Sequence, residues 1–434
     1  MEKILARARK VAEEAEVYMA TINETPVQFE TNRLKHVQSK QSKVVSLRII
    51  KKGKIGYATT TRLDDYTTLI NDAVATAEFG QKAEFHFPAY RRFPKVEIYD
   101  PEVESISLKQ MTELGQEMID AVTNYSSEVI CEAGVNKITC EISILNSRGG
   151  KAKFNETVFG LGVEGQLIRG TDMLFVGDHT SSCHPVLDSK EIIRTVINHL
   201  KMAKRQATVT TKSMPVIFTP EGVASALILP LMSAFNGKTV LEGASPIGKK
   251  LGQQVFDNKL TIHDDPTIPY RPGSRPCDDE CVPCQRIKLI DKGVVSHFVY
   301  DLQTAARAKT KSTGNGHRGI AGGLPAPSIN AFVMEGGTTS FNEMVRNTRE
   351  GLIIEQLMGA GQGNTLGGDF SGNVVLGFKI EKGDIVGRVK DTMVSGNIYH
   401  LLNQITAIGS DCKWVGGALC TPSLYFPSVS VASR

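Results

Sequence analysis

The sequence predicts an α+β protein: two N-terminal mixed α/β units of helix, strands and helix, followed by a glycine-rich, β-rich C-terminal domain. Three observations lead there. Apolar residues recur at helical spacing in several short segments, and strict apolar–polar alternation marks paired strands between them. Beyond residue 214, turn signals fall about every eight to twelve residues, the rhythm of consecutive short strands.

The first unit spans 1–80. Ile4, Ala8, Val11, Ala12 and Ala15 share a helical face. Val45, Leu47 and Ile49 alternate as in a half-buried strand. Lys51-Lys52-Gly53-Lys54 then turns the chain, and Ile55, Tyr57 and Thr59 resume the alternation. Asp64 or Asp65 can cap a helix with Leu69, Ala73 and Ala77 on one face. Over 81–105 the periodicity fades, and Pro88, Pro94 and Pro101 punctuate an extended linker. The second unit, 106–206, repeats the outline. Ser107 can cap a helix striped by Met111, Leu114, Met118 and Val122. Ile138, Cys140, Ile142 and Ile144 alternate, residues 146–150 turn, and Phe159, Leu161 and Val163 form the return strand. A helix near Ser189 to Arg205 turns Ile192, Ile193, Val196, Ile197 and Leu200 inward. The polar, β-branched stretch that ends at Ser213 precedes the last domain, 214–434.

Composition narrows the function classes. At 434 residues the chain has room for two to three domains of about 100–200 residues. With 41% hydrophobic and 22% charged residues it reads as globular, neither disordered nor fibrous. A formal charge of +4 is too mild for a nucleic-acid binder, and Arg91-Arg92 and the lysines from Lys201 to Lys212 read as solvated surface. The longest apolar run, Val223 to Phe235, contains Pro230 and is shorter than the ~20 residues of a membrane helix. Met1 opens a charged amphipathic segment and not a signal core. A cytoplasmic location is therefore expected. Eight unevenly spaced cysteines do not read as a disulfide framework.

Most familiar catalytic motifs are absent. Zinc hydrolases place two histidines one helical turn apart with a glutamate after the first, and no His-Glu pair occurs in this chain. Neither the nucleophile elbow Gly-x-Ser-x-Gly nor a phosphate loop is present. Gly359, Gly361 and Gly363 lack a βαβ context and read as a flexible glycine loop. Cys277, Cys281 and Cys284, spaced C-x3-C-x2-C, can hold three corners of a metal or iron–sulfur cluster. They can equally be free thiols in a surface loop with Asp278, Asp279 and Glu280, and that reading is preferred. Asp178, His179, Cys183 and His184 cluster in sequence but fit ordinary loop contacts. His263 and His317 stand alone and read as structural.

One series of segments is more specific. Val216-Ile217-Phe218 reads as a strand, and Thr219 can cap a helix with Pro220 at its first position. That helix, Glu221 to about Asn236, is apolar nearly all round and so expected to be buried. There follow Ile262-His263-Asp264-Asp265-Pro266, Arg275-Pro276, Asp278-Asp279-Glu280 and Ser312-Thr313-Gly314-Asn315. Gly368-Asp369-Phe370-Ser371-Gly372, Ile408-Gly409-Ser410-Asp411 and Thr421-Pro422-Ser423-Leu424 complete the series. In this order they resemble the TldD/PmbA family, once described as modulators of DNA gyrase and now regarded as peptidase subunits. Phe29-Glu30-Thr31-Asn32-Arg33-Leu34 and the hairpin through Gly53 and Gly56 extend the resemblance to the N-terminus.

The resemblance implies two subunit types. The TldD type looks like a zinc peptidase with His-Glu-x-x-x-His on the buried helix and a later cysteine as third ligand. The PmbA (TldE) type lacks that motif and pairs with it. Here the corresponding helix, Ala226 to Phe235, offers no imidazole and no carboxylate, so the chain looks like the PmbA type. Cys412 lies near the place of the ligand cysteine, but one thiolate is not a zinc site. The implied function is that of a non-catalytic metallopeptidase subunit that encloses a chamber for unfolded peptides. It would bind no cofactor itself, and the zinc would lie in a TldD-type partner, whose zinc-bound water and glutamate cut the peptide. Asn315, Asp369 and Ser371 are the candidates for lining the peptide channel. The alternatives are a homodimeric peptide-binding protein and a metal or iron–sulfur protein using Cys277, Cys281 and Cys284. No membrane and no direct nucleic-acid partner are expected.

Overall fold

The computed structural model describes residues 1–62, 64–319 and 322–433. In the first half, α1 (Glu2–Ala8) leads to β1 (Glu14–Glu30), β2 (Arg33–Val37), β3 (Lys40–Lys51), β4 (Lys54–Thr60) and α2 (Tyr66–Phe79). After an extended stretch come α3 (Pro101–Ser105), α4 (Leu108–Tyr125), β5 (Ile130–Asn146), β6 (Lys151–Arg169), β7 (Asp172–Ser182) and α5 (Lys190–Met202). All seven strands form one antiparallel sheet in the order β4-β3-β1-β5-β6-β7, with β2 on β1. β1 and β5 pair from Glu16↔Asn146 to Phe29↔Ala133. The two units separated in sequence at 81–105 thus share a single sheet.

Local chemistry explains the element ends. Asp65 accepts from Thr68 N, and Ser107 with Gln110 forms a reciprocal capping box at α4. Lys52 and Gly53 both adopt positive φ, as the tight β3–β4 hairpin requires. Glu13 holds that turn by accepting from the Lys52 and Gly53 amides at 2.7 and 3.2 Å. The helix expected to reach Ala15 therefore stops at Ala8, and Ala15 belongs to β1. β1 shows no alternation at its start because Ala15, Glu16, Val17 and Tyr18 are all buried, with both faces covered.

One face of the sheet carries the helices. α1 and α2 cover Ala15, Val17, Val45, Leu47 and Ile49, while α4 and α5 cover Val27, Phe29, Val135, Phe159 and Leu161. The other face points away from them. At the Glu16 end it is covered by a loop of the second half, and at the Glu30 end it is open.

The second half opens with β8 (Gln206–Ala207), β9 (Lys212–Phe218), α6 (Pro220–Ala226), α7 (Ile228–Phe235) and α8 (Gly237–Leu241). It continues with β10 (Ile262–Asp264), β11 (Ile287–Asp291), β12 (Val294–Val295), α9 (Leu302–Arg307), β13 (Gly316–His317), β14 (Ala326–Pro327), β15 (Phe332–Met334) and α10 (Phe341–Arg346). It ends with β16 (Glu350–Met358), β17 (Asp369–Glu381), β18 (Asp384–Val389), β19 (Thr392–Asn397), α11 (Ile398–Leu401), β20 (Ala407–Ile408), β21 (Lys413–Val415), β22 (Leu419–Thr421) and β23 (Leu424–Ser433).

β16, β9, β23, β19 and β17 close into a ring, because β16 pairs with both β9 and β17. Phe218 meets Phe370 and Phe426 edge to face within its core. The ring's other side, through Ile217, Ile353, Leu376 and Phe378, packs on Val122, Val196 and Leu200 of α4 and α5. A second, smaller sheet runs β12-β11-β10-β15-β22-β21.

The single buried helix expected from Glu221 to Asn236 is two helices, broken at Leu227. Pro230 cannot donate to the Ala226 carbonyl, so the first turn of α7 starts afresh. Nor is it buried all round, since Leu229 is 58% exposed. Among the described residues no helix is long and apolar enough to cross a membrane.

Candidate functional site

The loop that covers the Glu16 end of the sheet is the acidic cysteine loop, 277–284. Expected at the surface, it is buried: Asp278 and Glu280 are 0% exposed and Asp279 is 3% exposed. Arg48 of β3 donates to Glu280 at 2.6 Å and to Glu16 at 2.9 Å. Arg318 donates to the same Glu16 oxygen at 2.6 Å, and Arg275 donates to Asp279 at 2.6 Å. Phe85 and Phe87, from the stretch read as a linker, lie 5.0 and 4.8 Å from the Arg48 guanidinium and seal it. Asp278 accepts from the amides of Glu280, Val282 and Gly316. Burial raises the carboxyl pKa of both Asp278 and Glu280. Burial also acts to raise that of Asp279, but Arg275, His317 and Arg318 outweigh it and hold Asp279 below its ordinary value. This is a structural seam between the two halves of the chain.

The thiols of the loop belong to that seam. Cys277, Cys281 and Cys284 are 0%, 1% and 3% exposed, and burial raises all three pKa values. Cys284 Sγ donates to Gly314 O at 3.2 Å. Among the described residues no three histidine, cysteine, aspartate or glutamate side chains converge as a metal site would need. The surface-loop reading is therefore replaced by packing, and the metal or cluster reading has no geometric support.

The open Glu30 end is a different place. A groove of about 1330 Å³ starts on this face and passes over β7, an edge strand of the sheet, to β16, β17, β18 and α6. One cross-strand row of its floor is Gln28, Gly134, Gly162 and His179, and the next is Glu132, Glu164 and Gly177. Glycines leave the middle of the floor bare. Ile130, Met173, Phe175 and Met358 line the groove at 42%, 54%, 40% and 62% exposure. Large apolar side chains this exposed around a concavity mark a binding surface. On the far wall, Glu355 accepts from Thr219 Oγ1 at 2.9 Å and lies 3.7 Å from His199. Lys413 reaches Asp178 at 2.6 Å and Glu221 at 3.1 Å, tying β7 to α6 at the groove's rim.

The structure separates the three sequence-predicted channel residues. Asn315 is fully buried, donating to Asp264 at 2.6 Å and to Ser328 O at 2.8 Å. Asp369 and Ser371 lie exposed on one face of β17, whose next residue on that face, Asn373, lines the groove. Asp369 accepts from Asn397 at 2.8 Å. Asp178 and His179 line the groove, whereas Cys183 is buried and His184 packs edge-on against Tyr270. His317 is half-buried; Arg275 donates to its Nδ1 at 2.7 Å and it donates from Nε2 to Asn330 at 2.8 Å. Burial, with Arg275, pushes its pKa down to about 4, so the ring is neutral. His263 pairs with Glu335 at 2.5 Å. Gly359, Gly361 and Gly363 lie in the β16–β17 connection. The groove floor itself was missed by sequence reasoning. The available signal was the glycine spacing in β5, β6 and β7, which appears only once the strands are in register.

A zinc ion does not fit α7. Ile228, Leu231, Ala234 and Phe235 are buried in the ring core, Leu229 faces out, and the only side-chain donor of α7, Ser233, bonds to Leu229 O. Cys412 is exposed with its thiol 3.8 Å from Met334 O. Apolar side chains and one thiol do not make a zinc donor set.

Known proteins resemble this chain in sequence and in fold. Residues 211–433 match the PmbA/TldA metallopeptidase C-terminal domain and residues 15–78 match PmbA/TldA metallopeptidase domain 1. An uncharacterized protein of Methanocaldococcus jannaschii is 25% identical over 429 residues, 98% of each chain. Metalloprotease PmbA of Escherichia coli O157:H7 is 29% identical over 225 residues, 52% of this chain and 47% of that protein. The crystal structure of TldE from Thermococcus kodakarensis superposes over 100% of both chains with a TM-score of 0.89 at 23% identity, a likeness of fold. The C-terminal match alone takes in more than half of the chain, and the chain belongs to the PmbA/TldD metallopeptidase family.

Proposed function

We propose that this chain is the non-catalytic, PmbA-type half of a two-subunit metallopeptidase and that its groove holds an extended, unfolded peptide. The groove over β7 is the observation that carries the reading. An edge strand offers main-chain donors and acceptors, glycines let a second backbone approach, and exposed apolar side chains provide contact with little sequence demand. The relatives named metalloproteases and the absence of zinc-binding side chains on α7 support assigning the cleavage itself to a TldD-type partner that completes the chamber.

The test is peptide binding followed by reconstitution. Gly134 has nothing within 4 Å of an added Cβ, so Gly134→Phe should fold normally and fill the groove floor. A fluorescein-labelled unfolded peptide should bind the wild-type chain and bind Gly134→Phe at least about tenfold more weakly, a loss of about 1.4 kcal/mol. Cleavage should require mixing with a paralogue that carries His-Glu-x-x-x-His. Stoichiometric zinc together with cleavage by the isolated chain would overturn the non-catalytic reading. Equal binding by Gly134→Phe would remove the groove from it.

A further inference from the structure

We infer, resting on the reading that the groove holds an extended peptide, that its preferred occupant is cationic, with a lysine or arginine held two residues from a large apolar side chain. The charges around the groove do not balance. Carboxylates outnumber lysines and arginines among its lining residues, although the whole chain carries a formal +4. Most of those carboxylates have a partner of their own. Lys413 holds Asp178 and Glu221, Lys35 lies 3.4 Å from Glu30, and Glu355 sits against His199 and Thr219. Asp391 follows Lys390 in the chain, and both line the groove. Arg388 is taken up by Asp172 and Met173 O. Glu132 and Glu164 remain: exposed, directly opposite each other, and without an ion-pair partner among the described residues.

Like charges directly opposite each other destabilise a sheet, and a cation from outside the chain relieves them. Gly177 comes next in their row, on β7, and Glu164 leans over it: a Cβ at 177 would lie 3.1 Å from Glu164 Cγ. A strand added beside β7 continues the row at a spacing of about 4.8 Å. Its residue opposite Gly177 therefore faces Glu164 with no side chain between them, across about 10 Å of backbone separation. A long cationic side chain spans that gap and a short one does not. The following row is Ile130, Gln166 and Phe175, with Ile130 and Phe175 42% and 40% exposed. Alternate residues of an extended chain share a face, so the side chain that meets this apolar row stands two positions from the cation. A cleft lined by one sign of charge also concentrates cationic ligands before they dock.

The test measures fluorescence anisotropy of labelled peptides of equal length on the full chain. A peptide carrying Lys-Ser-Leu should bind about fivefold more tightly than its counterparts with Gln or Glu in place of Lys. It should also outbind the Lys-Leu-Ser isomer, whose two side chains point to opposite faces. Salt at about 1 M, where the screening length is about 3 Å, should erase most of the charge preference. Glu132→Gln with Glu164→Gln preserves side-chain shape and should bring the Lys and Gln peptides within about twofold of each other. Glu132→Lys with Glu164→Lys keeps a like-charged pair and should turn the preference toward the Glu peptide. Equal binding of the Lys, Gln and Glu peptides, equal binding of the two isomers, or a Lys preference that survives both double exchanges would overturn the inference and leave the groove as a peptide site. Gly134→Phe should weaken every peptide that binds. Binding that it does not touch, or no binding at all, would overturn the groove reading and this inference with it.

Discussion

The two ends of β1 present the same sheet face to opposite fates. Glu16 lies near one end and Glu30 at the other, separated by about 3.3 Å per residue along one strand. At the first end Glu16, Arg48, Glu280 and Arg318 are dry and paired. At the second, Glu132 lies directly opposite Glu164, both exposed, and among the described residues neither has an ion-pair partner. Identical residue types thus hold two halves of a molecule together in one place and stay available in the other. What differs is the cover: the 277–318 region closes one end, and among the described residues none closes the other. A charge buried with all its partners is architecture, whereas unpaired charge beside exposed apolar side chains in a groove is a surface built for something else.

That contrast can be broken at its strongest point first. Arg48→Ala leaves Glu16 and Glu280 buried without their shared cation. It should cost about 3–5 kcal/mol in urea unfolding, whereas Glu132→Ala should change stability by no more than about 0.5 kcal/mol. Equal effects would mean that the seam is not what joins the halves.

Acidity sharpens the comparison next. Burial pushes the Asp264 carboxyl, beside the seam, up to about 6, although Asn315 and Asn330 donate to it. In the unfolded chain it ionises near its ordinary value, so between the two the folded state holds the extra proton. Its stabilising contribution is complete in acid and lost as pH rises through about 6, on the order of 1–3 kcal/mol. Asp278 and Glu280, also raised, act in the same direction at higher pH, and Asp279, lowered, acts oppositely in acid. Melting temperatures recorded across this range should fall with rising pH, and Asp264→Asn should flatten the lower part of the curve. A melting temperature that climbs steadily would contradict the assignment.

The smallest expected effect lies in the groove. Glu164→Lys turns a like-charged cross-strand pair into an opposite one and should add about 0.2–1 kcal/mol to stability. The same change places a long cationic side chain on the groove floor, so labelled peptide should bind differently while the fold is firmer. A variant that gains stability and leaves peptide binding untouched would place the ligand elsewhere.

Short-range features were legible in the sequence. The Ser107 cap, the Lys51–Lys54 hairpin and the striped helix of Met111, Leu114, Met118 and Val122 needed only neighbouring residues. β1 was not legible, because burial on both faces erased its alternation. The 277–284 loop was misread because its partners lie far away in sequence: Glu280 meets Arg48 across 232 positions, and Glu16 meets Arg318 across 302. Read locally, Asp-Asp-Glu between cysteines is a solvated turn. Asn315 was read as a candidate for the peptide channel, but it is fully buried and its partner is Asp264 inside the protein.

By itself, then, the sequence determined the α+β class, the family and the absence of imidazole and carboxylate side chains from residues 226–235, since each rests on residue identity in order along the chain. Tertiary structure alone decided that the acidic loop is the seam, that the two N-terminal units are one sheet, and that a glycine-floored groove crosses β7. Those outcomes depend on which distant strands pair and in what register, and a one-residue slip would turn every side chain of a strand to the other face.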